Sequence, residues 1–302
     1  MFASLVEVLA GHDGAELADG RGFGSGTLQV RGRIFAMVSG GRVILKLPAA
    51  RVSELVSSGN GVAFDAGRGR PMRDPRGVER STKADPASPS TPEEQADDLH
   101  RLIAQLDAGP VDLFASSGGA VNALALVATH PEQVRTLVAH EPPLASILPD
   151  REGALAACRA VNETYRHSGF GAGMARFIDV VSHQGLFGPD YAGQPAADPA
   201  MFGLPTEDDG TRSDPLLGQN MISSTHFEPD FEALRAASTR IVMAAGAESA
   251  GTLAHRGAVA VAERLGTTPV SFPSGHSGFL GGEYGQRGDP DAFAAKLREV
   301  LA

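Results

Sequence analysis

A serine, a carboxylate and a histidine stand in this chain where they could act on one carbonyl. Ser117 lies in the run Phe114-Ala115-Ser116-Ser117-Gly118-Gly119-Ala120. A serine hydroxyl is a weak nucleophile until a base removes its proton, and the base needs a carboxylate to orient it. His276, in Phe272-Pro273-Ser274-Gly275-His276-Ser277-Gly278-Phe279, offers the base. Glu248, in Ala245-Gly246-Ala247-Glu248-Ser249, offers the carboxylate. The chemistry these residues suit is acyl transfer to Ser117 followed by hydrolysis.

Such side chains must project from rigid elements. The apolar run 111–114 reads as a strand, and residues 120–128 are good helix formers, so Ser117 sits at the apex of a strand–turn–helix elbow. Small neighbours allow a strained turn that lifts Oγ clear of the sheet. The helix behind presents unsatisfied N–H groups, that of Gly118 foremost, and a positive dipole end to a developing oxyanion. Taken without its partners, the same run is a Ser/Gly loop.

The flanking sequence supplies a sheet. A helix is expected from Pro92 to about residue 106, capped by Thr91 or Ser90, with Leu99, Leu102, Ile103 and Leu106 as its apolar stripe. Residues 136–140, 240–245 and 269–272 read as buried strands, with helices expected over 252–265 and 290–301. Alternating strands and helices predict a right-handed α/β sheet with Glu248 and His276 after its last two strands. Residues 144–235 break the alternation with helix-like stretches at 152–167 and 173–183, then a Gly/Pro/Asp-rich region. They read as a helical lid. Phe170, Met174, Phe177, Leu186, Phe187, Met201 and Phe202 make it apolar, which suits a small apolar substrate or simply packs the lid.

The first quarter has a different pattern. Residues 2–10 show helical spacing, and residues 20–26 are a glycine-rich loop without the strand and helix that phosphate binding would need. Three short strands are expected at 27–30, 34–38 and 43–47, then a helix at 49–56 and irregular chain over 64–72. A Pro/Ser-rich bridge at 85–92 leads into the later helix. This predicts two domains, 1–72 and 73–302, meeting near Met72.

Composition narrows the function. Of 302 residues, 42% are hydrophobic and 21% charged, an ordinary globular balance with ample material for a core. A net charge of -10 argues against nucleic acid or an anionic membrane as partner. The one cysteine, Cys158, excludes an internal disulfide and cysteine-based zinc. The remaining histidines (His12, His100, His130, His167, His183, His226, His255) lack partners at ligand spacing, so neither metal nor cofactor is expected. The N-terminus lacks a basic stretch before its first acidic residue, and no apolar run is long enough to span a bilayer, so the expected location is the cytoplasm.

From Asp74 onward the chain resembles the α/β-hydrolase superfamily. The resemblance rests on Asp74-Pro75-Arg76-Gly77-Val78-Glu79-Arg80-Ser81, the elbow, His140-Glu141-Pro142-Pro143, Gly246-Ala247-Glu248 and Gly275-His276. It implies Ser117 as nucleophile, His276 as general base then acid, and Glu248 as the orienting carboxylate, with Glu141 as the alternative acid. It also exposes a departure: the strands and the loop that give the second oxyanion N–H in that superfamily have no counterpart before Asp74, leaving Gly118. Residues 1–72 resemble part of the TfoX N-terminal-domain family through Gly22-Phe23-Gly24, Lys46-Leu47-Pro48, the helix after it and Gly69-Arg70-Pro71-Met72. The expected fold class is therefore α/β: a truncated α/β-hydrolase sheet with a helical lid, preceded by a small α+β antiparallel segment. Two functions follow: a serine hydrolase weakened by the missing loop, or a catalytically inactive fusion serving as a binding or regulatory module.

Overall fold

The short runs of the first quarter give one sheet, and the apolar runs beyond residue 110 give another of opposite character. The computed structural model describes residues 15–17, 28–30, 33–39, 42–47, 49–61, 74–78, 81–85, 88–282, 286 and 288–302. Two compact units result, one of residues 1–73 with 200–205, the other of 74–199 with 206–302.

The first unit holds β1 (Ala15–Leu17), β2 (Leu28–Val30), β3 (Arg33–Ser39) and β4 (Arg42–Leu45), antiparallel in that order. At the end of β3 Ser39 pairs with Arg42, the first residue of β4. Helix α1 (Ala49–Ser57) follows. Strand β1 was not legible: three residues carry no periodicity, and the element exists because Ala15 to Leu17 pair along β2. The helix expected over 2–10, the loop at 20–26 and the stretch 64–72 lie outside the described residues.

The second unit opens with α2 (Pro92–Leu106), where the Thr91 hydroxyl accepts from the Glu94 N–H at 3.3 Å and Asp107 ends the helix at φ 49°. Both oxygens of Asp98 on this helix receive the Arg76 guanidinium, at 2.8 and 2.5 Å, tying the Asp-Pro-Arg segment down. Then come β5 (Val111–Ser116), α3 (Gly118–Thr129), β6 (Val134–His140), the lid helix α4 (Arg151–Ser182), α5 (Met221–His226) and α6 (Phe231–Ala236). The chain closes with β7 (Arg240–Gly246), α7 (Leu253–Arg264), β8 (Val270–Phe272) and α8 (Pro290–Leu301). The sheet is wholly parallel in the order β5-β6-β7-β8.

Strand periodicity decides how that sheet is covered. Leu137 and Ala139 of β6, with Met243 and Ala245 of β7, face a core built with Ala120, Val121, Leu124, Val127, Ala258, Val261 and Ala262 of α3 and α7. The alternate positions Val138 and Ala244 face Phe272, Phe293 and Val300, where α8 packs. Among the described residues β5 pairs with β6 alone, so it is a sheet edge. The two expected lid helices form one, bent at Gly169, whose φ of 84° favours glycine. Asp150, just before α4, meets Arg256 of α7 in an ion pair only 11% and 14% exposed, and its other oxygen accepts from the Phe187 N–H at 2.7 Å. No described helix is long and apolar enough to cross a membrane.

Close approach of α7 to the loop after β6 depends on Gly257. A Cβ there would lie 2.1 Å from the Pro142 carbonyl oxygen and 3.1 Å from the Leu144 nitrogen. Alanine would gain about 1 kcal/mol in helix propensity, but backbone overpacking costs more. Gly257→Ala is expected to destabilise this unit by about 2 kcal/mol or more in urea melts.

Candidate active site

The carboxyl ends of four parallel strands bring the sequence-predicted residues to one sheet edge, the usual site of ligand binding in open α/β sheets. Ser117 follows β5, Glu141 follows β6, Glu248 follows β7 and His276 follows β8. Ser117 holds φ 56° and ψ -131°, a conformation a non-glycine residue adopts only under constraint. Its N–H donates to the His140 carbonyl at 2.9 Å, and its own carbonyl accepts from Ala120 and Val121 at 2.9 and 3.3 Å. These bonds fasten the elbow between β6 and the first turn of α3. The N–H groups of Gly118 and Gly119 have no helical partner by position and point out of the helix start. Among the described residues Ser117 Oγ makes no hydrogen bond, so it is not joined to His276 in this structure.

His276 is oriented by Glu141, not by Glu248. Its Nδ1 lies 2.7 Å from Glu141 Oε2. Glu141 is fully buried, and its Oε1 accepts from the Gly246 N–H at 2.8 Å and from the Ser249 hydroxyl. Burial pushes this carboxyl upward, but the bonds from His276, Ser249 and Gly246 outweigh it and hold the pKa below the ordinary range. An ionised carboxylate can only accept, so Nδ1–H is the donor, and in the neutral imidazole the lone pair is then on Nε2. That is the tautomer a general base needs.

Glu248, the acid expected from the sequence, makes no bond to His276 among the described residues. Its N–H donates to the Ser274 carbonyl at 3.0 Å, extending β7 alongside the β8 loop, while its side chain is exposed and unpaired among the described residues. Glu141 instead turns at φ 49° beneath the end of β7. Gly246 makes this possible, because a Cβ there would lie 2.8 Å from both Gly275 C and Ser249 Oγ. A sequence signal for Glu141 existed: it follows the apolar run Leu137-Val138-Ala139 and precedes Pro142-Pro143, whereas Glu248 has small, polar surroundings.

Residues 72–201 match the sequence profile described as the alpha/beta hydrolase fold. Over 210 residues the chain is 30% identical to "Uncharacterized hydrolase YraK" of Bacillus subtilis (strain 168), spanning 68% of this chain and 71% of that protein. This chain belongs to the α/β-hydrolase fold family. The α/β-hydrolase fold is also what it shares with two solved structures. MGS-M2, an alpha/beta hydrolase enzyme from a Medee basin deep-sea metagenome library, superimposes with a TM-score of 0.52 at 17% identity over 76% of this chain and 77% of its own. Rv0554 from Mycobacterium tuberculosis gives 0.50 at 19% identity, over 76% of this chain and 77% of that one. Within the α/β-hydrolase frame, four parallel strands make this a truncated sheet, and β5, which carries the elbow, is its open edge among the described residues.

One residue beside these was quoted in the sequence only as part of a motif and assigned no role. His140, last in β6, is fully buried, 3.0 Å through Nδ1 from Ser116 Oγ, with Nε2 unpaired. Its ring lies 5.9 Å from that of His276, among Phe114, Phe272, Phe279 and Phe293. His140, Glu141 and His276 also offer potential metal-ligand atoms within 4.8 Å of one another, which linear spacing could not reveal. Both Glu141 oxygens and His276 Nδ1 are already engaged with each other or with Gly246 and Ser249. The lid's Phe187 lies in the lid's own core, with Phe170, Met174 and Phe177 packed against it, while Leu186 and Met201 are exposed.

Burial drives the His140 pKa down to about 4; Glu141 opposes this shift and His276 adds to it. Between about 4 and the ordinary 6.5 the unfolded chain binds a proton that the folded chain refuses, so stability falls on acidification through that window. The loss has an upper bound of about 3 kcal/mol. Glu141, with its lowered carboxyl, adds a loss in the same direction at lower pH. Urea melts from pH 7 to pH 4 should show this slope in the native chain and a shallower one in His140→Gln.

Proposed function

We propose that the chain is a serine hydrolase acting on small esters or related acyl substrates, with Ser117 as nucleophile, His276 as base and Glu141 as orienting acid. The observation that carries this reading is the 2.7 Å bond from His276 Nδ1 to a fully buried carboxylate with two further donors. A buried, ionised partner favours the imidazolium that forms when His276 takes a proton.

In this mechanism His276 Nε2 accepts the Ser117 hydroxyl proton as Oγ attacks the substrate carbonyl carbon. The carbonyl electron pair moves onto oxygen, where the Gly118 N–H meets it. Collapse of the tetrahedral species breaks the bond to the leaving alkoxide, which takes the proton from His276. Water then repeats the sequence on the acyl-serine, releasing acid and restoring Ser117.

A second reading, an inactive fusion acting as a binding or regulatory module, draws support from the open β5 edge and from the absence of a Ser117–His276 hydrogen bond. Turnover of p-nitrophenyl acetate separates the two. Under the hydrolase reading Ser117→Ala abolishes turnover and fluorophosphonate labelling. Glu141→Gln lowers kcat by about 10³–10⁴-fold, while Glu248→Gln stays near wild type. Loss in Glu248→Gln with activity retained in Glu141→Gln would overturn the assignment of the acid. Unlabelled, inactive wild-type protein would favour the binding module.

A further inference from the structure

We infer that Ser224, on the lid helix α5, is a second hydrogen-bond donor to the oxyanion. This rests on the serine-hydrolase reading of the same site. The starting point is the residue after the nucleophile: Gly118 has no side chain, and a Cβ built on it would lie 3.2 Å from Ser224 Oγ. The space that a side chain at this position would fill is thus occupied by a hydroxyl from the lid. It stands beside the backbone unit whose N–H is the first oxyanion donor.

The hydroxyl is also uncommitted. A serine or threonine within a helix ordinarily turns its hydroxyl back to the carbonyl three or four residues earlier. Both neighbours of Ser224 do so. Ser223 Oγ donates to the Asn220 carbonyl at 3.2 Å, and Thr225 Oγ1 donates to the Met221 carbonyl at 2.7 Å. Ser224 Oγ has no hydrogen-bond partner among the described residues, although the residue is only 9% exposed. A hydroxyl not committed to a helix carbonyl is free to turn its O–H toward an arriving oxyanion.

Its position is well held. Thr225 and Met221 are buried, and the Ser146 hydroxyl donates to the Phe227 carbonyl at the end of α5. A donor fixed before substrate arrives needs no reorganisation as charge develops, which is where such groups gain their effect. Ser224 O–H and Gly118 N–H would then form the pair of donors that the superfamily obtains from two backbone groups.

The test compares wild type, Ser224→Ala, Ser224→Cys and Ser117→Ala in p-nitrophenyl acetate hydrolysis and fluorophosphonate labelling, with thermal melting as a check on folding. Donation predicts that Ser224→Ala and the nearly isosteric Ser224→Cys both lose kcat by about tenfold to a hundredfold, with KM and melting temperature unchanged. Affinity for a phenylboronic acid, which becomes a tetrahedral anion on Ser117, should fall in parallel. If Ser224→Cys keeps wild-type kcat, the residue only fills space and the inference is overturned, whatever Ser224→Ala does. If wild type itself neither labels nor turns over, the hydrolase reading fails first and takes this one with it.

Discussion

The carboxylate of Glu141 is the group on which the carboxyl edge of the sheet depends. A fully buried ionised carboxyl costs several kcal/mol in desolvation unless its oxygens are satisfied, and here three donors meet them. Those donors come from separate segments: the end of β7 through Gly246, the following turn through Ser249, and the loop after β8 through His276. One charge therefore fixes the mutual position of three strand ends. Satisfying it requires a left-handed Glu141, a side-chain-free Gly246 and a β8 loop that comes close to both.

Below this edge the sheet divides its labour by face. The core with α3 and α7 is aliphatic and closely packed, and it supports the helix start behind Ser117. The opposite face, covered by α8, is aromatic and encloses His140 among four phenylalanine rings. An apolar cage of that kind explains both the depressed basicity of His140 and its neutrality at ordinary pH. It sits between the elbow and His276 as an uncharged spacer, bonded to Ser116 and stacked near His276.

The lid is organised around itself first. Its aromatic and methionine side chains mostly complete a core with Ala154, Ala157, Val161, Tyr165 and Leu217, and the Asp150–Arg256 pair binds it to α7. Apolar lid composition is consequently weaker support for an apolar substrate than the sequence suggested. What the lid brings to the elbow is the polar face of α5, where Ser224 abuts Gly118.

By itself the sequence determined the parallel strands of the second unit, the helices between and after them outside the lid, and the strand ends at which Ser117, Glu141, Glu248 and His276 stand. Local signals were sufficient there: Thr91 before Pro92, the apolar runs of β5, β6 and β7, the small residues around Ser117, and the helical run 290–301. Chain order also placed Ser117, an acid and His276 at strand ends, since parallel strands joined by helices all point one way. Tertiary structure decided which acid meets His276. Glu141 and Glu248 follow adjacent strands and are equivalent to any rule of order, but burial and converging donors select Glu141, and these arise from residues 105 and 135 positions away. Strand β1, the His140 environment and the approach of Ser224 to Gly118 were likewise hidden, because each depends on a distant segment supplying the partner. Periodicity records which face a residue turns inward; it does not record what meets that residue there.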